Sequence, residues 1–168
     1  MGQAATETDV GMMRRALELA RQAAAIGEIP VGAVVYETTT GLVLGEGSNL
    51  RHTQGDPAAH AELIAIRAAA ARVGDWRLNH CTLVVTLEPC AMCAGLIVNA
   101  RLGRVVYGCM DPKAGACGSV YKLTEDARLN HRVEPIVGVL GDEAAELLRA
   151  FFRARRKSAG GEEFHSTL

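Results

Sequence analysis

The chain has 168 residues, of which 49% are hydrophobic and 22% charged. That length suits one domain, and that balance excludes a chain disordered throughout. A net charge of −1 gives no global attraction to nucleic acid, so any phosphate contact must come from a local basic patch.

The opening residues show no basic region followed by an apolar stretch, and no apolar run is long enough to span a bilayer. A soluble, cytoplasmic protein with no membrane partner is therefore expected. Met12, Met13, Ala16, Leu17, Leu19, Ala20, Ala23 and Ala24 recur at helical spacing and predict a helix from about Asp9 to Ile26. Asp9 is the expected N-cap and Gly27 the expected stop. Pro30 then opens a β-branched run, Val31 to Tyr36. Thr38 to Gly41 reads as a turn, with Leu42 to Gly47 as the returning strand of a hairpin. A second helix is expected from Ala58 to about Arg72, with Pro57 in its first turn, where no N–H partner is needed.

Cys81 to Leu87 is a continuous apolar run of the kind buried on both faces of a sheet. Ala91 to Ala100 predicts a third helix, Arg104 to Gly108 a short strand, Val133 to Val139 a fifth strand, and Asp142 to about Lys157 a last helix. Strand–helix–strand units with buried strands predict an α/β fold, a mixed sheet covered by helices on both faces. Residues 9–157 are expected to form a single domain, with 1–8 and 158–168 as flexible tails.

The chemistry concentrates in His60-Ala61-Glu62 and Pro89-Cys90-Ala91-Met92-Cys93. Both segments open predicted helices. Cys90 and Cys93 are one helical turn apart, so both sulfurs can face one point. The partial positive charge of a helix N-terminus favours the thiolate, which is the form that binds zinc. With His60 from the neighbouring helix they make three protein ligands for Zn²⁺, the number that leaves a catalytic zinc one open position. Glu62, two residues after His60, is the expected proton shuttle.

A purely structural zinc would need a fourth protein ligand. His52, His80, His131, Cys81, Cys109 and Cys117 are the formal candidates, and none has ligand-pair spacing with another. The cysteines number five, an odd count that argues against a disulfide framework. Cys81, Cys109 and Cys117 are expected to pack as small apolar residues. The run Arg149 to Lys157 is the one candidate basic patch, its alternative being a solvated helix face. Phe151 and Phe152 within it are adjacent and so face different sides of the helix.

These motifs, together with Pro30-Val31-Gly32-Ala33-Val34, Thr86-Leu87-Glu88 leading into Pro89 to Gly95, Asn130-His131-Arg132-Val133-Glu134 and Phe151-Phe152-Arg153, resemble the bacterial tRNA-specific adenosine deaminases over roughly Met12 to Lys157. The zinc motifs suit any cytidine deaminase-like enzyme; the last two segments are more specific to the tRNA enzymes. The resemblance implies a three-layer α/β/α fold around a five-stranded mixed sheet, and a homodimer. It implies hydrolysis of adenosine to inosine at the wobble position of a tRNA anticodon stem-loop, with one zinc per subunit.

Residue by residue, the resemblance implies that His60, Cys90 and Cys93 bind zinc and that Glu62 moves protons. It also implies that Asn49 hydrogen-bonds the target base, and that Phe152 and Arg153 border the RNA. The turn Glu37–Gly41 is longer than the family's, and Cys109 to Lys113 stands where the family places a loop near the RNA. The alternatives from the same motifs are a guanine or cytosine deaminase acting on a free base or nucleoside, and a non-catalytic zinc-binding subunit that presents RNA. Glu62 argues against the second, which needs no proton shuttle.

Overall fold

The computed structural model describes residues 4–161. Helix α1 (Glu7–Ala25) begins earlier than expected because Thr6, not Asp9, is its N-cap. Asp9 instead closes a capping box. Its carboxylate accepts the Thr6 backbone N–H at 2.7 Å, and the Thr6 hydroxyl accepts the Asp9 N–H at 3.1 Å. At the other end Gly27 stops the helix as expected. Its positive φ of 82° lets its N–H reach Ala24 O and the Glu28 N–H reach Ala23 O, each at 3.0 Å. That turn delivers Glu28 to the interior.

The strands are β1 (Gly32–Glu37), β2 (Val43–Ser48), β3 (Cys81–Leu87), β4 (Arg104–Cys109) and β5 (Ile136–Val137). They form one five-stranded mixed sheet in the order β2-β1-β3-β4-β5. β1 runs antiparallel to β2 and β3, while β3, β4 and β5 are parallel. Alternate strand residues face opposite ways. Ala33, Val35, Leu83, Val85, Val105 and Tyr107 pack against α3 (Ala61–Val73) and α4 (Ala91–Asn99). Val34, Tyr36, Val84 and Val106 face α1 and α5 (Gly141–Gly161). The result is the expected α/β/α sandwich, and β3 is buried on both faces.

Several further element boundaries depart from the sequence reading. The second long helix does not start at Ala58. The Asp56 carboxylate accepts the Ala58 N–H at 2.8 Å, turning the chain so that His60 becomes the N-cap and Pro57 lies ahead of the helix. A short helix, α2 (Arg51–Gln54), precedes it and carries no apolar period to announce it. The fifth strand shrinks to Ile136–Val137, since Pro135 has no N–H to pair and Gly138 turns away at φ 89°. At the chain ends, α5 continues past Lys157 to Gly161, and residues 1–3 and 162–168, expected as tail, lie outside the described residues.

α3 lies unusually close to β2. A Cβ at Gly45 would stand 2.2 Å from Ala65 O, and one at Gly47 would stand 2.3 Å from Ala61 O. Only glycine leaves room for that contact. It brings the start of α3 over the carboxyl end of β3, where α4 also starts.

Asp9 ties the opposite layer. Its buried carboxylate accepts the Tyr36 hydroxyl at 2.6 Å and Arg104 Nη2 at 2.8 Å. Burial alone would raise its pKa, but Tyr36, Thr6 and Arg104 outweigh it and hold the carboxyl below its ordinary value of 3.8. We predict that Asp9→Ala costs about 3 kcal/mol in a denaturant titration at neutral pH, because it strands Arg104 without its partner. A group with a depressed folded pKa stabilises fully above its unfolded value. The difference between wild type and variant should therefore persist above pH 3.8 and shrink as pH falls below it.

Candidate active site

His60 is the N-cap of α3 and Cys90 the N-cap of α4, with Cys93 in the first turn of α4. Both helix starts therefore aim their positive ends at one point. The Cys90 and Cys93 sulfurs each lie 3.6 Å from His60 Nδ1, and the three donor atoms fall within 4.8 Å of one another. Among the described residues this is the one such grouping of three metal-ligating side chains. The six formal candidates for a fourth ligand do not join it. Cys81 and Cys117 are buried in the core, and the Cys109 thiol donates to Thr86 O at 3.6 Å. His131 Nε2 stands 2.8 Å from Leu102 O. Two sulfurs and one imidazole nitrogen, with no fourth donor grouped with them among the described residues, suit a zinc ion with an open position.

The electrostatics favour a thiolate at one of the two cysteines. Hydrogen bonding to Cys93 and to the His60 ring draws the Cys90 thiol well below its ordinary value, toward the thiolate. The Cys93 thiol, which shares its proton with Cys90 and is itself buried, is held up. Burial pushes the Glu62 carboxyl up to about 7, against the pull of its own backbone N–H and of His60. Glu62 is 4% exposed and lines a pocket.

That pocket has a volume of about 210 Å³. His60, Glu62 and Cys90 form its floor, and Ile29, Val31, Leu87 and Asn49 its apolar and polar walls. Asn49 is buried, and its Nδ2 donates to Glu28 Oε2 at 3.3 Å. A carboxylate can only accept, so Glu28 fixes which way the Asn49 amide points. The Thr53 backbone N–H and hydroxyl donate to Glu28 Oε1 at 2.6 and 2.9 Å, clamping α2 to the same carboxylate. Burial alone would raise the Glu28 carboxyl; the Thr53 donors outweigh it and hold it below the ordinary glutamate value.

Beside the pocket lies a larger groove of about 730 Å³, and Ile29, Leu87 and Asp111 line both. Its other wall is α5, with Leu148, Arg149, Phe152, Arg153 and Arg156. Phe152 is 41% exposed there, while Phe151 is half-buried and has the Arg155 guanidinium 5.5 Å over its ring. The structure thus divides the basic run. Arg149, Arg153 and Arg156 face the groove, and the first two pair with Glu146 at 3.0 and 2.6 Å.

Glu28, Arg51 and Ala114 were not singled out by the sequence, and Glu88 and Asp111 lay in segments that carried the resemblance without being given a role of their own. The signal available for Glu28 and Glu88 was an acidic residue beside a buried strand, at Gly27-Glu28-Ile29 and Leu87-Glu88-Pro89.

Comparison with known proteins places this geometry in a family. The MafB19-like deaminase family model matches residues 7–156. The tRNA-specific adenosine deaminase of Haemophilus influenzae is 49% identical, over 90% of this chain and 87% of its own. A structure from a study of A-to-I editing by tRNA:A34 deaminases at the wobble position of transfer RNA superposes with a TM-score of 0.78. It is 38% identical, over 82% of this chain and 99% of that one. The guanine deaminase of Nitrosomonas europaea superposes with a TM-score of 0.74 at 26% identity, over 90% of this chain and 86% of that one. With its paired helix starts, its donor cluster and its close relatives in sequence, the chain belongs to the deaminase family that includes the tRNA-specific adenosine deaminases.

Proposed function

We propose that this protein deaminates adenosine to inosine at the wobble position of a tRNA anticodon stem-loop. The observation that carries the reading is the wall shared by the pocket and the groove. A free base needs only a closed cavity. A base that is part of a strand must be turned out of its stack, with its neighbours held alongside. Here the pocket shares the wall of Ile29, Leu87 and Asp111 with a groove lined by Met110, Pro112, Leu148 and Phe152 and by the cations Lys113, Arg149, Arg153 and Arg156. Apolar and aromatic surface suits unstacked bases, and the cations suit phosphates.

In this reading His60, Cys90 and Cys93 hold one zinc ion. When bound, zinc supplies a Lewis acid that makes water nucleophilic near neutral pH. Glu62 takes a proton from the attacking water and passes it to the ring nitrogen beside the reacting carbon. It takes the second proton and gives it to the departing amine. A C–O bond forms, the exocyclic C–N bond breaks, and ammonia leaves. A carboxyl raised by burial to about 7 is suited to both halves of this transfer, since it gains and loses a proton near the working pH. Asn49, oriented by Glu28, hydrogen-bonds the base, and Phe152 and Arg153 border the flanking nucleotides. The reading also carries a homodimer in the cytoplasm; no helix among the described residues is long and apolar enough to cross a membrane.

The deciding experiment incubates the purified protein with an anticodon stem-loop bearing a wobble adenosine, and separately with guanine and with cytosine. Inosine should appear in the stem-loop and neither free base should react; conversion of the free bases alone overturns the proposal. Glu62→Gln should keep its zinc by metal analysis while kcat falls by roughly 10²–10⁴-fold. Cys90→Ala should lose zinc as well as activity. Neutralising Arg149, Arg153 and Arg156 together should weaken stem-loop binding and flatten its logarithmic salt slope by about 2, at ~0.7 per lost phosphate contact.

A further inference from the structure

Glu88 is 2% exposed and takes no part in the chemistry above. Every hydrogen bond its carboxylate makes goes to one segment. Oε1 accepts the backbone N–H of Cys117 at 3.1 Å and of Ser119 at 2.9 Å. Oε2 accepts the Asp111 N–H at 2.9 Å and the Ser119 hydroxyl. The carboxylate thus draws both ends of residues 111–119 to a single point. The middle of the segment is fastened to the main chain beside Glu88. Ala116 N–H donates to Pro89 O at 2.8 Å, and Gly115 bridges Cys90. Gly115 lies flat against the carboxylate, where a Cβ would stand 2.3 Å from Oε2 and 2.6 Å from Asp111 O.

The gathered segment has a place in the site. Asp111 lines both pocket and groove, Ala114 lines the pocket, and Pro112 and Lys113 line the groove. Asp111 Oδ1 turns inward on its own loop, accepting Lys113 N–H at 3.0 Å and Ala114 N–H at 3.2 Å. These side chains stand where they do because the backbone is held from beneath. A buried carboxylate with all its acceptor sites used is costly to disturb, since its donors would be stranded out of water.

We propose that Glu88 is a positioning residue, whose carboxylate moulds residues 111–119 into the wall joining the base pocket to the groove. It acts on how tightly a strand is received, and not on the metal ligands or the proton transfer. The inference rests on the groove being the path of the flanking nucleotides. A role confined to the metal site is the competing idea, because Glu88 is close in sequence to Cys90; its bonding to 111–119 alone argues against that.

Glu88→Gln keeps the shape but opposes an amide N–H₂ to main-chain donors. Gly115→Ala leaves the carboxylate in place and displaces the loop from the other side. Both variants should exchange the amide hydrogens of residues 111–119 faster than wild type. Both should raise KM for the stem-loop, and the Kd measured by fluorescence, by about tenfold or more, with kcat changed by less than about threefold and zinc content unchanged. Unchanged exchange overturns the proposal. So does faster exchange with unaltered KM and Kd, or a loss confined to kcat and zinc. If one variant fails to fold, the other decides. If the wild type does not deaminate the stem-loop but binds it, the substrate reading fails while the exchange and Kd measurements still judge Glu88; if it does not bind, both fail, the substrate reading by activity and this one by Kd.

Discussion

Three donor atoms from two helices meet within 4.8 Å, and that convergence depends on how closely α3 can lie on β2. Gly45 and Gly47 present no side chain, so the backbone of Ala61 and Ala65 rests on the strand itself. A larger residue at either position would lift the start of α3 and carry His60 and Glu62 away from Cys90 and Cys93. Small residues line the helix side of the same contact, with Ala61, Ala65 and Ala69 all buried. The alanine-rich, aromatic-poor composition is in this sense a requirement of the site. Bulky side chains between helix and sheet would fill the core equally well and separate the ligands.

Above that contact the site is organised by charge. Two helix N-termini supply positive potential at one spot, and the thiolate of Cys90 answers it. Two buried carboxylates, Glu62 and Glu88, line the pocket, and a third, Glu28, stands behind Asn49. Glu28 and Glu88 are met by backbone and hydroxyl donors and held in the ionised form, so they serve as fixed points for α2 and for residues 111–119. Around Glu62 burial outweighs the compensating backbone N–H and His60, and so it remains able to take up a proton. In the proposed mechanism, the difference between scaffold and shuttle lies in the donors around the same functional group.

The sequence told much of this and hid a particular part. Long periodic or continuously apolar segments announced α1, β3 and the layer order, because their burial pattern is written in the residues themselves. The candidate metal donors were legible for a similar reason: Cys90 and Cys93 stand one turn apart at the start of one helix, and His60 opens another. Tertiary clamps left no such trace. Thr6 displaced Asp9 as the cap because Asp9 is needed by Tyr36 and Arg104, residues distant along the chain. The start of α3 moved to His60 because Asp56 turns the chain ahead of it. Glu28 and Glu88 act on segments far from them in sequence. Arg149, Arg153 and Arg156 could be told from their neighbours in the basic run only once the groove existed to face.

The pocket and the groove hold Ile29, Leu87 and Asp111 in common. If the pocket takes the base and the groove its neighbours, as proposed, a change at any of the three alters two recognition surfaces at once. Selection for a different base and selection for different neighbouring nucleotides are therefore not independent variables in this architecture. A lineage moving toward a small, free substrate would have to rebuild this partition, whereas one that kept a polymer as substrate could vary Met110, Leu148 or Phe152, which touch the groove alone, without disturbing the reacting centre.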